Sequence, residues 1–312
     1  MTLQHAIEEF ILAKQADGLA TTTIKWYRSE LKPLAAAYPE RAIDTITPND
    51  LRQYIVSMRD RDSRYVSASQ RPKQAGGLSS ASIAGHVRAL HAFWAWAERE
   101  YKCANPMRNI RRPKVITPQP KSASMSDFVA LFNAIGGGDV GTRNRALLAF
   151  LVDTGCRLGG LLSARISNLD LASCRAVITE KGNKQRKVYF TRFTGQLIYF
   201  WLTVRESDSD ALFTSIHDGK PLTASGVHQM LKRLKAQANV RGRVNAHAFR
   251  HNFARSYISS GGDISTLAKI LGHSDITTTA AYYAVFTEDE LAQMHREFSP
   301  LSHIDLNDLF HE

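Results

Sequence analysis

The stretch AVITEKGNKQRKVYF, residues 176–190, marks the place where the pattern of this chain changes from helical to extended. Two short runs that contain β-branched and aromatic residues, 176–179 and 187–190, flank the polar segment Lys181-Gly182-Asn183-Lys184. A Gly-Asn pair in a short polar connection favours a β-hairpin between two antiparallel strands. The stretch therefore predicts a small antiparallel sheet in the second half of the chain.

Helical patterns surround this hairpin on both sides. In the first 105 residues, the apolar spacing and the start signals predict about four helices, and Thr47 followed by Pro48 is a strong helix start. The sequence thus predicts a mainly α protein with a small antiparallel β-sheet in its C-terminal domain. Further helices are predicted at about 126–135, 142–154, 194–206, 223–238, 246–260, 263–271 and 275–285, and a capping box of Thr287 and Glu290 predicts one more.

The length of 312 residues and a basic, proline-containing stretch indicate two domains. The dipeptide Asn105-Pro106 ends the first helical unit, and the residues after it have the composition of a linker. We predict a helical domain at 1–107, a linker at 108–124, a second domain at 125–286 and a C-terminal tail at 287–312.

The charge of the chain is distributed unevenly. Residues 284–312 hold one basic and seven acidic residues, whereas residues 1–283 hold 39 basic and 22 acidic residues, a net charge of +17. A basic body attracts polyanions such as nucleic acid. On charge alone, a basic protein without a nucleic-acid partner fits equally well.

The composition argues against a membrane protein and a secreted protein. The longest uninterrupted apolar run is 146–152, far short of the roughly 20 residues that cross a bilayer. The N-terminus lacks the basic and apolar regions of a secretory signal. The cysteines (Cys103, Cys156 and Cys174) are odd in number and lack the spacing of metal ligands, so we expect a cytoplasmic protein.

Four short segments carry residue types that act in catalysis. They are DTGCR at 153–157, EKGNK at 180–184, HAFRH at 247–251, and LGH at 271–273 with Tyr282 nine residues further on. Each has an ordinary structural explanation when taken alone, such as a solvated turn lysine or a tyrosine in a core. Within the third segment, we expect His251 to face away from His247 and Arg250 and to be structural.

In this order and spacing, the four segments resemble those of the tyrosine recombinase, or phage integrase, family. That family has an arginine in a T-G-x-R turn, a lysine in a hairpin, an H-x-x-R-H helix, an L-G-H turn and a tyrosine about nine residues later. The resemblance runs from the first helix to the tail, and it implies a helical core-binding domain followed by a catalytic domain. The positions that match as catalytic are Arg157, Lys181, His247, Arg250, His273 and Tyr282.

The chemistry of these residue types agrees with cleavage of a phosphodiester. Arginine forks bind phosphate oxygens, and histidines either donate hydrogen bonds to the same oxygens or move the proton of the nucleophile. Lys181 is suited to protonate the departing 5′-oxygen, and Tyr282 is suited to attack. Tyr283 is the rival nucleophile, which the spacing from His273 disfavours. The resemblance implies a covalent phosphotyrosine that conserves the bond energy, so we expect no metal and no cofactor.

One position departs from the family pattern. The family usually has an acid three residues after its first arginine, and Gly160 stands there in this chain. The absence of that acid leaves open how Arg157 or His247 is held. Two rival functions also remain open at this point: a type IB topoisomerase that relaxes DNA, and a non-catalytic DNA-binding protein on the same fold.

The resemblance further implies double-stranded DNA with a short core recombination site as the partner, held between the two domains. It also implies a homotetramer on two DNA sites, with the tail docked on a neighbouring protomer, although packing of the tail on its own domain remains an alternative. We expect a cytoplasmic, nucleoid-associated protein, and no accessory protein can be named. The candidate DNA contacts are Lys25, Arg28, Arg88, His91, Arg111, Arg112, Lys184, Arg186, Arg241 and Arg243.

Overall fold

A computed structural model describes residues 1–64, 74–115, 123–180, 182–272, 292 and 295–297. The chain divides into two compact units, Met1–Pro118 and Gln119–Glu312, and each has a hydrophobic core of its own. The boundary between the units falls within the stretch 108–124, which we read as a linker. The helix predicted at 275–285 lies outside the described residues, and of the helix predicted after Thr287 the structure describes only 292 and 295–297, which are helical.

The first unit is helical, as its apolar spacing predicted. Thr47 caps the third helix in a capping box with Asp50, which confirms the start signal in the sequence. Two very short strands between the third and fourth helices pair antiparallel. The elements are α1 (Leu3–Ala16), α2 (Thr21–Ala37), α3 (Pro48–Asp60), β1 (Ser63–Arg64), β2 (Gln74–Ala75) and α4 (Ser80–Tyr101).

The core of the first unit is built around aromatic rings. Phe10 of α1 makes edge-to-face contacts with Tyr27 of α2 and with Phe93 and Trp96 of α4. Such contacts add about 0.5–1.5 kcal/mol per pair to the gain from burial. They fix α1 against both α2 and α4, the two helices that carry four of the candidate DNA contacts.

The second unit contains seven helices and a small sheet within its described residues. Helix α6 (Gly138–Thr154), at the centre of this unit, is buried along most of its length because neighbours cover several of its faces. The elements are α5 (Met125–Asn133), α6 (Gly138–Thr154), α7 (Leu158–Ser163), β3 (Leu169–Asp170), β4 (Arg175–Glu180), β5 (Lys184–Tyr189), α8 (Arg192–Val204), α9 (Ala224–Gln237), α10 (Ala246–Ser259) and α11 (Ile264–Leu271).

The sheet is antiparallel with the order β3-β4-β5, which confirms the predicted hairpin and adds one strand that the sequence did not reveal. Opposite residues include Ala176 with Val188 and Ile178 with Arg186. Because side chains alternate along a strand, Ala176, Ile178 and Glu180 share one face of β4. Ala176 and Ile178 are buried in the core, so Glu180 is carried on the inward face of the sheet.

Three hydrogen bonds to one carboxylate tie the end of α6 to the start of α8. The carboxylate of Asp153 accepts hydrogen bonds from the backbone and hydroxyl of Thr191 and from the hydroxyl of Thr194 at the start of α8. In the part of the chain that the structure describes, none of the helices is long and apolar enough to cross a membrane.

Candidate active site

Arg157 lies at the turn between α6 and α7, where it is the N-cap residue of α7. The turn needs glycine at position 155, because its φ is +56° and a Cβ there would lie 2.9 Å from Phe253. The side chain of Arg157 is 40% exposed, and its Nη1 lies 2.6 Å from Oε2 of Glu180. Arg157 therefore combines an accessible guanidinium with a fixed anchor.

Arg250 is buried among the backbone of the same region. It is 1% exposed, and its Nη1 donates to the carbonyl of Gly155 at 2.9 Å. Its Nη2 donates to the carbonyl of Leu271 at 2.7 Å, at the end of α11. Through these two bonds Arg250 ties the turn before Arg157 to the start of the segment 271–273.

Glu180 is the residue of this region that sequence reasoning missed. Its side chain is 6% exposed and accepts from Arg157, from the backbone amide of Arg157 at 3.4 Å, and from Nη2 of Arg186 at 3.3 Å. Burial raises the pKa of Glu180, but the ion pairs with Arg186 and Arg157 and the positive charge of Arg250 outweigh it and lower the pKa overall. Glu180 is therefore an anion beside three arginines. The alternation of β4 was the signal that would have placed it inward.

Arg186, which we predicted as a DNA contact, is instead largely buried and paired within the protein. Its side chain is 13% exposed, and its Nη1 donates to the carbonyl of Ile270 at 2.5 Å while Nη2 meets Glu180. The reason is strand parity, since Arg186 shares the inward face of β5 with the buried Val188. Arg186 thus joins the hairpin to the end of α11.

His247 and His251 form a pair on one face of α10, which corrects our expectation that His251 faces away. Their ring centroids are 4.5 Å apart with an interplanar angle of 75°. Residues four apart on a helix are neighbours, so the spacing itself required this contact. Burial, followed by His247 and Arg250, lowers the pKa of His251 to about 4. Partial desolvation, followed by Arg250 and Arg157, lowers the pKa of His247, which favours its neutral form.

The structure thus brings together Arg157, His247 and Arg250, and both arginines act electrostatically on the histidine. The other three predicted catalytic residues, Lys181, His273 and Tyr282, lie outside the described residues, as does Tyr283. Among the described residues, no group of three or more His, Cys, Asp or Glu side chains is placed to hold a metal ion.

The candidate DNA contacts of the first unit form one basic group on α2 and α4. The group consists of Lys25, Arg28 and Arg88, and all three side chains are exposed. The guanidinium of Arg88 lies 4.7 Å from the ring centroid of Trp26, the residue next to Lys25. His91 differs, because it is half-buried and its Nε2 has no hydrogen-bond partner. The exposed candidates elsewhere are Arg111, Arg112, Lys184, Arg241 and Arg243.

Comparisons with known proteins agree with the motifs. The model of the phage integrase family matches residues 124–289. Tyrosine recombinase XerD of Halalkalibacterium halodurans is 26% identical over 96% of this chain and 99% of its own length. Tyrosine recombinase XerC of Shigella dysenteriae serotype 1 is 29% identical over 81% of this chain and 86% of its own length.

A solved structure has a similar fold. The Tn1549 transposon integrase in complex with a circular intermediate DNA superposes with a TM-score of 0.71 at 20% identity, covering 94% of this chain and 99% of that one. The family match covers more than half of the chain and includes Arg157, His247 and Arg250. The chain therefore belongs to the phage integrase family, the tyrosine recombinases that its sequence motifs indicated.

Proposed function

We propose that this enzyme is a site-specific DNA recombinase that cleaves and rejoins strands through a 3′-phosphotyrosyl intermediate. The observation that carries the proposal is the bond from Arg250 to the carbonyl of Gly155, which places Arg250 at the turn of Arg157 in a chain of this family, with His247 on the same helix as Arg250. Two guanidinium groups offset the charge that builds up on the phosphate oxygens in the transition state. A neutral imidazole beside them accepts a proton, which a protonated one does not.

The reaction balances without a metal or a nucleotide. The phenolic oxygen of Tyr282 forms a bond to the scissile phosphorus, its proton passes to His247, and the bond from phosphorus to the 5′-oxygen breaks. Lys181 gives a proton to the departing 5′-oxygen, and His273 donates a hydrogen bond to a non-bridging oxygen. A 5′-hydroxyl of a partner strand then reverses these steps and releases Tyr282.

The test of this function uses a nicked suicide duplex. The wild-type protein first selects the binding site of this duplex from a random-sequence library. We expect an SDS-resistant protein–DNA adduct with the wild type and with Tyr283→Phe, and none with Tyr282→Phe. The reverse pattern would move the nucleophile to Tyr283, and a wild type without adduct would indicate a non-catalytic DNA-binding protein.

DNA is the substrate of this reaction, and the similar transposon integrase is itself in complex with DNA. The exposed basic group of α2 and α4 supports a duplex contact in the first unit, and Lys184, Arg241 and Arg243 support one in the second. Phosphate contacts of this kind position the protein on the duplex rather than specify the sequence. Relaxation of any supercoiled plasmid without site preference would instead indicate a topoisomerase.

The active assembly in this proposal is a homotetramer on two DNA sites, with the tail at 287–312 docked on a neighbouring protomer. The tail carries apolar residues such as Leu306, Leu309 and Phe310 among its acids, and these need burial. Deletion of the residues after Pro300 should abolish synapsis of two labelled duplexes in a native gel. Synapsis by the truncated chain would show that the tail packs on its own domain. Nucleoid association would follow from DNA binding.

A further inference from the structure

We propose that Glu180 is the positioning residue of Arg157. Its carboxylate, carried by strand β4, lies in space that the missing side chain of Gly160 leaves open. The inference rests on the proposed function and adds a residue to its active site. It starts from a contact: the Glu180 carboxylate lies 2.6 Å from Nη1 of Arg157 and also accepts from the backbone amide of that residue. One side chain therefore fixes both the guanidinium and the main chain of Arg157.

Gly160 makes the close approach of this carboxylate compatible with the helix above it. A Cβ on Gly160 would lie 2.7 Å from Cδ1 of Ile178 and 3.4 Å from Oε1 of Glu180. A longer side chain at position 160 would compete with Glu180 for the same space. The glycine at the position where related recombinases carry an acid is thus matched by an acid on the neighbouring strand.

The charges around Glu180 explain what the carboxylate does. Arg157, Arg186 and Arg250 all act on it, and it is almost completely buried. Without an anion, the guanidinium of Arg157, the most exposed of the three, would be repelled towards solvent. With the anion in place, Arg157 is held before the phosphate arrives, and such preorganisation is what raises a rate.

Glu180 also links Arg157 to the end of α11. Its other oxygen meets Arg186, whose Nη1 donates to the carbonyl of Ile270 at 2.5 Å. Arg250 donates to the next carbonyl, that of Leu271. The carboxylate is thus the centre of a network that ends at the segment 271–273, and its loss should change geometry more than affinity.

The experiment compares Glu180→Gln with the wild type on the selected nicked duplex. We expect adduct formation to slow about 10- to 100-fold, because a misplacement of about 1 Å costs up to 100-fold. The affinity for the intact duplex should stay the same or increase, since a negative charge is removed from a cationic surface. Asp170→Asn is the matched control, because it breaks the Asp170–Arg175 ion pair of the same sheet, and it should react at the wild-type rate.

A relocated carboxylate separates positioning from a merely structural role. Glu180→Gly should be slower than Glu180→Gln, and adding Gly160→Glu to it should restore the rate at least tenfold, since the close contact of the new Cβ is with the flexible end of Ile178, at 2.7 Å. Gly160→Glu alone should slow the reaction, because two carboxylates then compete. This swap also decides the question if Glu180→Gln fails to fold at the assay temperature.

Three results would overturn the inference. They are a wild-type rate for Glu180→Gln, a loss of rate that follows an equal loss of affinity, and a swap that restores nothing. Adduct formation by the wild type together with any of these leaves the proposed function intact and removes the role of Glu180. Absence of an adduct with the wild type removes both.

Discussion

The two units of this recombinase use their arginines in opposite ways. In the first unit Arg88 is exposed and stacks on Trp26, with the exposed Lys25 and Arg28 on the neighbouring helix. In the second unit Arg250 is fully buried and bonded to two carbonyls. The first arrangement leaves the charge in water, where it attracts DNA at a distance and is screened by salt. In the second arrangement the charge of Arg250 is desolvated, and its two hydrogen bonds fix the orientation of the guanidinium.

From this contrast we predict that DNA affinity and the rate of cleavage depend on different arginines. An exposed cation contributes to the counterion release that accompanies DNA binding. A buried and oriented cation contributes little to the long-range field, but it needs no reorganisation when the transition state forms. A first-unit arginine that controls the rate, or a second-unit arginine that controls only affinity, would contradict this division.

Arg250→Lys should have the largest effect. Lysine keeps the positive charge but loses the planar fork that reaches both Gly155 and Leu271. We expect adduct formation on the nicked duplex to slow by about 10²- to 10³-fold and the free energy of unfolding to fall by about 1–2 kcal/mol. Arg233→Lys, an exposed arginine on α9, is the control and should match the wild type. A rate for Arg250→Lys close to that of the wild type would remove the distinction between buried and exposed arginines.

The combined variant Lys25→Ala, Arg28→Ala and Arg88→Ala should have the next largest effect, and on affinity rather than rate. If all three side chains touch phosphates, the slope of log affinity against log salt should become shallower by about 2.7. At saturating protein, the rate of adduct formation should match the wild type. An unchanged slope would show that this group of α2 and α4 does not contact DNA.

Helices and the hairpin could be predicted from sequence because their signals are local. The short α7, with the sequence LGGLLS, gave no signal, since six residues with two glycines have neither the length nor the propensity of a typical helix. The two-residue strand β3 was missed for a similar reason. A hydrophobic pattern needs several repeats before it can be read.

The candidate active site was predictable as a set of residues but not as a network. The family motifs named Arg157 and Arg250, yet the contact of Arg157 with Glu180 spans 23 residues, and that of Arg250 with Gly155 spans 95. Spacing along one element says nothing about such contacts. Two errors were avoidable, because strand alternation places Arg186 inward and helix spacing places His251 beside His247.

The pH dependence of the rate should report on His247. In the proposed mechanism its neutral form accepts the proton of Tyr282, and partial desolvation, Arg250 and Arg157 lower its pKa below the usual value of about 6.5. The rate of adduct formation should therefore be flat from pH 8 to about 6.5 and fall by up to tenfold per pH unit only below the lowered pKa. His247→Gln should be slower throughout and should lack this acid limb. A rate that already falls between pH 8 and 7 would contradict a neutral His247.

The smallest expected effect concerns the contribution of His251, a half-buried imidazole, to stability. Its folded pKa of about 4 lies below the unfolded value of about 6.5, so between these values the unfolded chain binds a proton that the folded chain does not. Stability from this residue is therefore present above pH 6.5 and is lost as the pH falls towards 4. Between pH 7 and pH 5, the drop in Tm of His251→Gln should be smaller than that of the wild type, by a difference on the order of 2 °C. An equal drop in both proteins would mean that the pKa of His251 is the same in the folded and the unfolded chain. His251 would then be protonated in the folded protein at pH 5 and would add a positive charge beside His247.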